Sequence, residues 1–201
     1  MDETLAARVL PDPDEDRATV DGRVVRLLDR DRYEPVEVLV ADGEELRPGY
    51  LIDADIEWSE PARLEAFSLR RPTLYAFADA VDPVFEVAQD LWETARANGD
   101  GMNSSVTRNT DGEVNGVCYV FADGGAGDRF REFRDGTRPL EPLVDRVNER
   151  EGAASREVFV LRPADGGYVV VTIALTKGGH FADTLRDTYG LDRSEESVVG
   201  L

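Results

Sequence analysis

Four consecutive residues, Lys177, Gly178, Gly179 and His180, bring the residue types of an anion site together at one turn. They include the only lysine and the only histidine of the chain, between a β-branched run and an amphipathic run. Backbone N–H groups at a helix start bind anions, and a neighbouring cation would help to hold a phosphate or carboxylate. The turn therefore predicts a phosphate- or nucleotide-type site, although its spacing is not that of a P-loop. A glycine turn with solvated polar side chains explains the same residues.

Two arginines, Arg108 and Arg162, are predicted to lie near the ends of equivalent strands. As a pair they could grip an anion in a shared groove, which would extend the anion site at the turn. The alternative is that each arginine pairs with surface carboxylates, which are abundant in this chain.

Four aromatic residues of the N-terminal part, Tyr33, Tyr50, Trp58 and Phe67, occur on predicted strands. Exposed aromatic rings on a barrel face can stack on the bases of single-stranded nucleic acid. Aromatic residues at strand spacing are equally typical of a packed core, so both interpretations stay open at this point.

Catalytic and metal-binding sets are largely excluded by composition. One histidine and one cysteine cannot form a His/Cys metal cluster, so we predict no metal and no cofactor. Cys118 lies within a predicted strand, where a thiol is typical of a small core residue. Ser104 and Ser105 lack the surroundings of a nucleophile elbow. We therefore expect a non-enzymatic binding or adaptor module with no catalytic residues, with nucleic-acid binding or anion binding as alternatives.

The charge of the chain points to its solvent. The 201 residues carry a formal net charge of −19, and arginine has replaced lysine at every basic position except Lys177. An acidic chain depleted of lysine is typical of adaptation to molar salt, where the Debye length is about 3 Å. In such a solvent the acidity of the chain says little about its partners. Binding of nucleic acid remains an alternative, although no basic patch supports it, and a homo-oligomer or a protein partner also remains an alternative. The absence of a signal sequence and of long apolar runs predicts a cytoplasmic protein without membrane contact.

Hydrophobic periodicity divides the chain in two. Short alternating strands separated by turns fill the first 70 residues, which predicts a small β-barrel of the OB-like or SH3-like type over residues 1–72. At Arg70-Arg71-Pro72 the period changes to that of a helix, predicted to be capped by Thr73 and to kink or restart at Asp82-Pro83. Asn98-Gly99-Asp100-Gly101 is predicted to end it. Residues 73–201 are predicted to form an α+β domain, and residues 191–201 a loosely held tail.

A ββα pattern occurs twice in this second part at a constant offset. Arg108 matches Arg162, Asp111-Gly112 matches Asp165-Gly166, and Gly124-Gly125 matches Gly178-Gly179, each 54 positions apart. The fold that we predict is α-ββ-α-ββ-α around a four-stranded antiparallel sheet, with internal duplication as one explanation. The alternative is that Asp-Gly and Gly-Gly are common turn dipeptides.

The chain resembles members of a haloarchaeal family of unknown function over most of residues 20–190. The resemblance implies no activity and no site residues. It rests on four segments: Leu46-Arg47-Pro48-Gly49-Tyr50, residues 71–79 from Arg71 to Asp79, Phe133-Arg134-Asp135-Gly136 with residues 138–143, and residues 158–163 from Val158 to Pro163.

Overall fold

The computed structural model describes residues 3–11, 18–19, 22–41, 43–125 and 127–191. These ranges contain a mixture of strands and helices that confirms the α+β class. The strands are β1 (Glu3–Val9), β2 (Ala18–Thr19), β3 (Gly22–Asp29), β4 (Pro35–Val40), β5 (Leu51–Glu57), β6 (Arg63–Arg71), β7 (Leu74–Val81), β8 (Met102–Arg108), β9 (Val114–Asp123), β10 (Glu157–Pro163) and β11 (Gly167–Ala174). The helices are α1 (Glu86–Asn98), α2 (Arg129–Asp135), α3 (Glu141–Glu151) and α4 (His180–Tyr189).

The first sheet closes on itself. Strand β1 pairs with β5 along one edge and with β3 along the other, so that β1, β5, β6, β4 and β3 form a ring, with β2 added beside β3. Between β4 and β6 the ring is closed by one parallel pair, Leu39 with Arg63. Strand β5 turns one face inward, where Ile52, Ala54 and Ile56 are fully buried in the core of the ring. We call this element the ring sheet.

The second sheet has the strand order β7-β10-β11-β9-β8. Both hairpins of the predicted ββα pattern are present, β8 with β9 and β10 with β11, and the central strand β11 is buried on both faces. The sheet differs from the predicted one in its fifth strand, since β7 joins β10 in parallel. The sheet is therefore mixed and five-stranded, and the prediction of a four-stranded antiparallel sheet is wrong on both points.

The helix predicted to start at Thr73 is wrong before the restart predicted at Asp82-Pro83. Residues 74–81 form β7, and the helix begins at Glu86. Strand β7 is covered on both faces: Tyr75 contributes to one core and Val81 to the other. Because the strand is apolar on both faces, its apolar residues also fit the spacing of a helix. The pairing of β7 with β10 decides that this segment forms a strand. Instead of capping a helix, Thr73 accepts a hydrogen bond at Oγ1 from the backbone N–H of Arg156 at 3.2 Å.

Helices cover both faces of the second sheet. Helices α1 and α4 pack on one face, where Ala88, Ala182 and Leu185 are buried. Helices α2 and α3 pack on the other, with Phe130 and Val144 among the buried residues. Glycines end three of the helices: Gly99, Gly136 and Gly190 follow α1, α2 and α4 in the left-handed conformation.

The two hairpins of the second sheet pair in the same register. Ser105 lies opposite Cys118 in the first hairpin, and Phe159 opposite Thr172 in the second, 54 positions further on. Cys118 and Thr172 also lie opposite each other, so a local two-fold axis normal to the sheet relates the hairpins. Such an axis would place the following helices on one face, but α2 and α4 lie on opposite faces. The similarity is therefore confined to the strands.

The ring sheet and the second sheet meet through a buried ionic group. Arg8 of β1 donates from Nε and Nη2 to the carboxylate of Glu141 at the start of α3, at 2.7 and 2.9 Å. The phenolic O–H of Tyr75 donates to Glu141 Oε1 at 3.0 Å. Gly49 packs so closely here that a Cβ atom would lie 2.4 Å from the backbone nitrogen of Tyr75. We call Arg8, Glu141 and Tyr75 the junction.

None of the helices within the described ranges is long and apolar enough to cross a membrane.

Candidate functional site

A cleft of about 550 Å³ opens where the parallel strands β7 and β10 end. Ligand sites commonly lie outside the carboxyl ends of parallel strands, because the following loops and helices diverge there. We call it the α1 cleft, since one side of α1 forms a wall. Its lining residues are Val81, Asp82, Pro83, Val84, Gln89, Trp92, Glu93, Arg96, Pro163, Ala164, Asp165 and Tyr168.

Backbone hydrogen bonds hold the floor of the cleft. The N–H of Ala164 donates to the carbonyl of Val81 at 3.0 Å, which joins the turn after β10 to the end of β7. The N–H of Phe85, just before α1, donates to the hydroxyl of Tyr189 at the end of α4 at 2.9 Å. The start of α1 is thus fixed against both the sheet and α4, so its side chains project into the cleft from a rigid element.

Two stacked aromatic rings form one wall. The rings of Trp92 and Tyr168 lie 4.9 Å apart between centroids and 15° from parallel. Tyr168 is 5 % exposed, whereas Trp92 is half-buried and lies at the surface of the cleft. This wall offers a flat apolar surface of the kind on which planar or alkyl groups of a ligand pack.

The rim of the cleft is acidic. Asp82, Glu93 and Asp165 contribute three carboxylates against the single guanidinium of Arg96. The pKa of Tyr168 is raised, first by burial and then by the negative charge of Asp165 and of other neighbours including Glu93. With three carboxylates against one guanidinium, the lining favours a cation over an anion.

The residues that most often carry catalysis lie elsewhere. Cys118 is fully buried in β9, and burial raises its pKa to about 12, so the thiol stays protonated. His180 is exposed at the start of α4 and does not line the cleft. Within the described ranges, no group of three His, Cys, Asp or Glu side chains is placed to hold a metal ion.

The predicted anion turn already contains an internal carboxylate. The N–H of Gly178 donates to Glu157 Oε1 at 2.7 Å, and Arg186 Nε donates to Glu157 Oε2 at 2.6 Å. Glu157 is 1 % exposed, so this carboxylate belongs to the core rather than to solvent. Lys177 is half-buried and His180 exposed beside it. An external anion would have to compete with Glu157 for the amide, and the site remains a prediction.

The structure does not bring Arg108 and Arg162 together. They lie near the turns of the two hairpins, which point to opposite ends of the sheet because β9 and β11 are antiparallel. Arg108 donates to the carbonyl of Gly112 at 2.7 Å within its own turn. Arg162 pairs with Asp79 and Asp128. The two arginines therefore do not share a groove. Arg162 pairs with carboxylates, which is the alternative that the sequence left open.

The four aromatic residues of the ring sheet separate into two pairs. Tyr50 and Phe67 pack against the buried core of the ring. Tyr33 and Trp58 are exposed, at 40 % and 47 %. Tyr33 adopts a positive φ of 56° in the turn before β4. The four therefore do not form one continuous stacking face.

Sequence reasoning missed the α1 cleft and the junction. Trp92 belongs to the apolar stripe of the predicted helix. The periodicity alone does not tell a half-exposed residue of such a stripe from a buried one. Asp165 counted only as a turn residue. The cleft and the junction each join residues from distant elements, and Arg8 and Glu141 are 133 positions apart. A warning signal was present: an arginine within the apolar run that forms β1.

A family model described as "Family of unknown function (DUF6663)" matches residues 2–195. No curated protein and no solved structure matches the chain.

Proposed function

The chain belongs to this family of unknown function, and we propose that it is a non-enzymatic binding module whose α1 cleft takes a small organic cation. The ligand class is an amine with a planar or apolar body. The stacked pair Trp92–Tyr168 under an acidic rim is the observation that carries the proposal.

Each half of such a ligand has a counterpart in the cleft. The apolar body packs on Trp92, and an ammonium group near an indole face gains roughly 0.5–2 kcal/mol from cation–π attraction, depending on its desolvation. Glu93 and Asp165 provide the opposite charge close to Tyr168. In molar salt, long-range attraction is screened, so contact within the cleft has to provide the selectivity.

The test uses Trp92 as its own reporter. The chain has two tryptophans, so the variant Trp58→Phe leaves Trp92 as the single indole. Titration with phenethylamine in molar KCl should change the Trp92 fluorescence saturably, whereas phenylacetate, the matched anion, should not. The double variant Glu93→Gln/Asp165→Asn should weaken phenethylamine binding about tenfold, which corresponds to about 1.4 kcal/mol.

The matched control is Trp92→Phe, which keeps as the reporter Trp58, a residue outside the lining of the cleft. Its fluorescence should not respond to phenethylamine. Equal responses to the amine and the anion, or an amine affinity that the double variant leaves unchanged, would refute the proposal.

Two exposed rings of the ring sheet, Trp58 and Tyr33, support nucleic-acid binding as a second candidate. Single-stranded DNA and RNA should then bind in high salt with an affinity that Trp58→Ala reduces, measured by fluorescence anisotropy. Stacking contributes about 1–3 kcal/mol per base, so a real site would show a loss of fivefold or more. Binding that ignores this substitution would remove the candidate.

We also propose a salt-rich cytoplasm as the working environment and two domains, residues 1–72 and 73–201, as the organisation of the chain. The net charge of −19 with a single lysine supports the first. Separate cores in the ring sheet and the second sheet support the second, with an OB-like or SH3-like barrel as the type of the first domain. The common register of the two hairpins supports an internal duplication of the strands.

A further inference from the structure

Strand β8 is an open edge of the second sheet. Within the described residues it pairs with β9 on one side and stands last in the strand order on the other. Met102 and Val106 lie on one face of β8 and are 44 % and 40 % exposed. An edge strand with exposed apolar side chains is a template for another strand, and proteins usually protect such edges with charge.

The protection expected from charge is missing here. The ten residues from Gly101 to Thr110 contain no carboxylate, in a chain with 42 acidic residues, and they include Arg108. On the neighbouring face, Arg146 and Arg150 are close enough to lower the pKa of Tyr119, which burial raises overall. Tyr119 lies opposite Ser104 in the sheet. Because a second copy also carries −19, this edge is a part of the surface that such a copy can approach without repulsion.

We propose that a second copy of this chain adds its own β8 to this edge, antiparallel and about a two-fold axis at Ser104. The two sheets then continue as one across the interface. In this register Met102 lies opposite the partner's Val106, so the exposed apolar side chains cover each other on one face. The exposed Asp100 lies opposite the partner's Arg108, which places opposite charges at both ends of the pair.

The local hydrogen bonds fix which residues pair across the edge. The N–H of Ser104 donates to the side-chain oxygen of Asn103 at 2.9 Å, and the carbonyl of Val106 accepts from Ser105 Oγ at 3.2 Å. The backbone groups of Met102, Ser104 and Val106 therefore point away from β9, since alternate residues of a strand point to opposite edges. In one copy, the N–H of Ser104 and the carbonyl of Val106 are bonded to neighbouring side chains of the same strand. The backbone of a partner strand can take the place of these side chains.

Helix α1 extends the same surface on the other face of the sheet. Asn103 Nδ2 donates to the carbonyl of Leu91 at 3.2 Å, which places α1 along β8. Val87 lies one turn earlier on this side of the helix and is 38 % exposed. The two-fold axis brings the α1 helices of two copies side by side, so apolar contact is added on both faces of the new strand pair.

A cysteine at the axis tests the register. In Ser104→Cys the two thiols face each other in a hydrogen-bonded pair with Cα atoms about 5.5 Å apart, within the range for a disulfide. Mild oxidation should give a covalent dimer rapidly on non-reducing gels. Both cysteine variants carry Cys118→Ala, because Cys118 lies opposite Ser105 in the β8–β9 pair and could otherwise take up the control thiol in an intrachain disulfide. In the matched control Ser105→Cys, the two Cα atoms are roughly 8 Å apart, too far for a disulfide, and the thiols lie on the other face.

Light scattering in molar KCl gives the second measurement. The wild-type chain of 22.2 kDa should show twice that mass at micromolar concentrations, and Val106→Glu should shift it to the monomer. Leu69→Glu, at an exposed apolar position of the ring sheet, should leave the dimer intact. A monomeric wild type, a dimer unaffected by Val106→Glu, or equal cross-linking of the two cysteine variants would overturn the proposal.

Discussion

Arg8 and Arg162 make nearly the same contacts in two different environments. Each donates hydrogen bonds to carboxylates and lies over an aromatic ring: Arg8 over Tyr75 at 5.5 Å, and Arg162 over Phe130 at 4.8 Å. They differ in exposure, which is 1 % for the side chain of Arg8 and 29 % for that of Arg162. The comparison separates what an ion pair contributes from what its burial contributes.

The pKa values show the same difference. For the carboxyl of Glu141, burial alone would raise the pKa, but Arg8, Arg30 and the Tyr75 hydroxyl outweigh it and keep the pKa below its ordinary value. For Asp79, the hydrogen bond from Arg162 is the largest influence and lowers the pKa, and burial, which raises it, comes second. Burial is therefore the leading influence on the pKa of Glu141 at the junction, whereas the arginine is the leading influence on that of Asp79.

Removing one partner of the junction should give the largest effect. In Arg8→Met, the carboxylate of Glu141 stays buried beside Tyr75 without the two hydrogen bonds it now accepts from Arg8. Arg30 still faces the carboxylate, with its Nε 3.4 Å from Glu141 Oε2, so the buried charge is under-compensated rather than unpaired. Breaking a buried pair costs about 3–5 kcal/mol, and the free energy of unfolding should fall by about 3 kcal/mol, the lower end of that range. Urea denaturation in molar KCl measures it, with Arg162→Met as the matched control. A loss no larger than that of the control would break the comparison.

Replacing both partners sharpens this test. In Arg8→Met/Glu141→Leu no buried charge remains, and an apolar pair of similar volume is often neutral or even stabilising. The double variant should regain most of the stability lost in Arg8→Met. If it stays as unstable as the single variant, the packing of Arg8 rather than its charge is what holds the two sheets together.

Local patterns predicted the hairpins, the helix ends and the core of the ring sheet, because these depend on residues close in sequence. Asp165-Gly166 marks the turn between β10 and β11, and Gly99 ends α1 as expected. The exception was residues 74–81, where pairing with β10, about 80 positions away, decided between strand and helix. A pattern that is apolar on both faces contains no period from which this outcome can be read.

The site was harder to predict because every part of it is formed by tertiary contact. Lys177 and His180 suggested a site because each is the only residue of its type in the chain. In the fold, the backbone N–H of Gly178 between them donates to Glu157, and nothing in the sequence distinguishes this carboxylate from the many others. Trp92 and Tyr168 come from different elements and stack only in the fold. Composition shows which residue types are rare in the chain. It does not show where residues of the common types come together in the fold to form a site.

Acid should affect the junction in a way that the pKa direction determines. Because the pKa of Glu141 lies below its ordinary value of 4.5 in the folded chain, its stabilising effect is complete above that value. It is lost as the pH falls through the folded-state pKa. The free energy of unfolding of Glu141→Gln should therefore fall less steeply below about pH 4.5 than that of the wild type. Parallel slopes in urea titrations at several pH values would contradict this.

The smallest effect is expected at the exposed pair, and salt should reveal it. Arg162→Ala removes contacts with Asp79 and Asp128 that remain accessible to solvent, and exposed ion pairs contribute about 0–1 kcal/mol each. At molar salt the Debye length falls to about 3 Å, so the loss in Arg162→Ala should shrink as KCl is raised. The loss in Arg8→Met should hardly change, because ions do not reach the junction.

Urea titrations of both variants at low and molar KCl measure how each loss of stability depends on salt. Arg162→Lys serves as a control that keeps the charge without the two-pronged contact. If the two losses depended on salt to the same extent, burial would not be what distinguishes the two arginines.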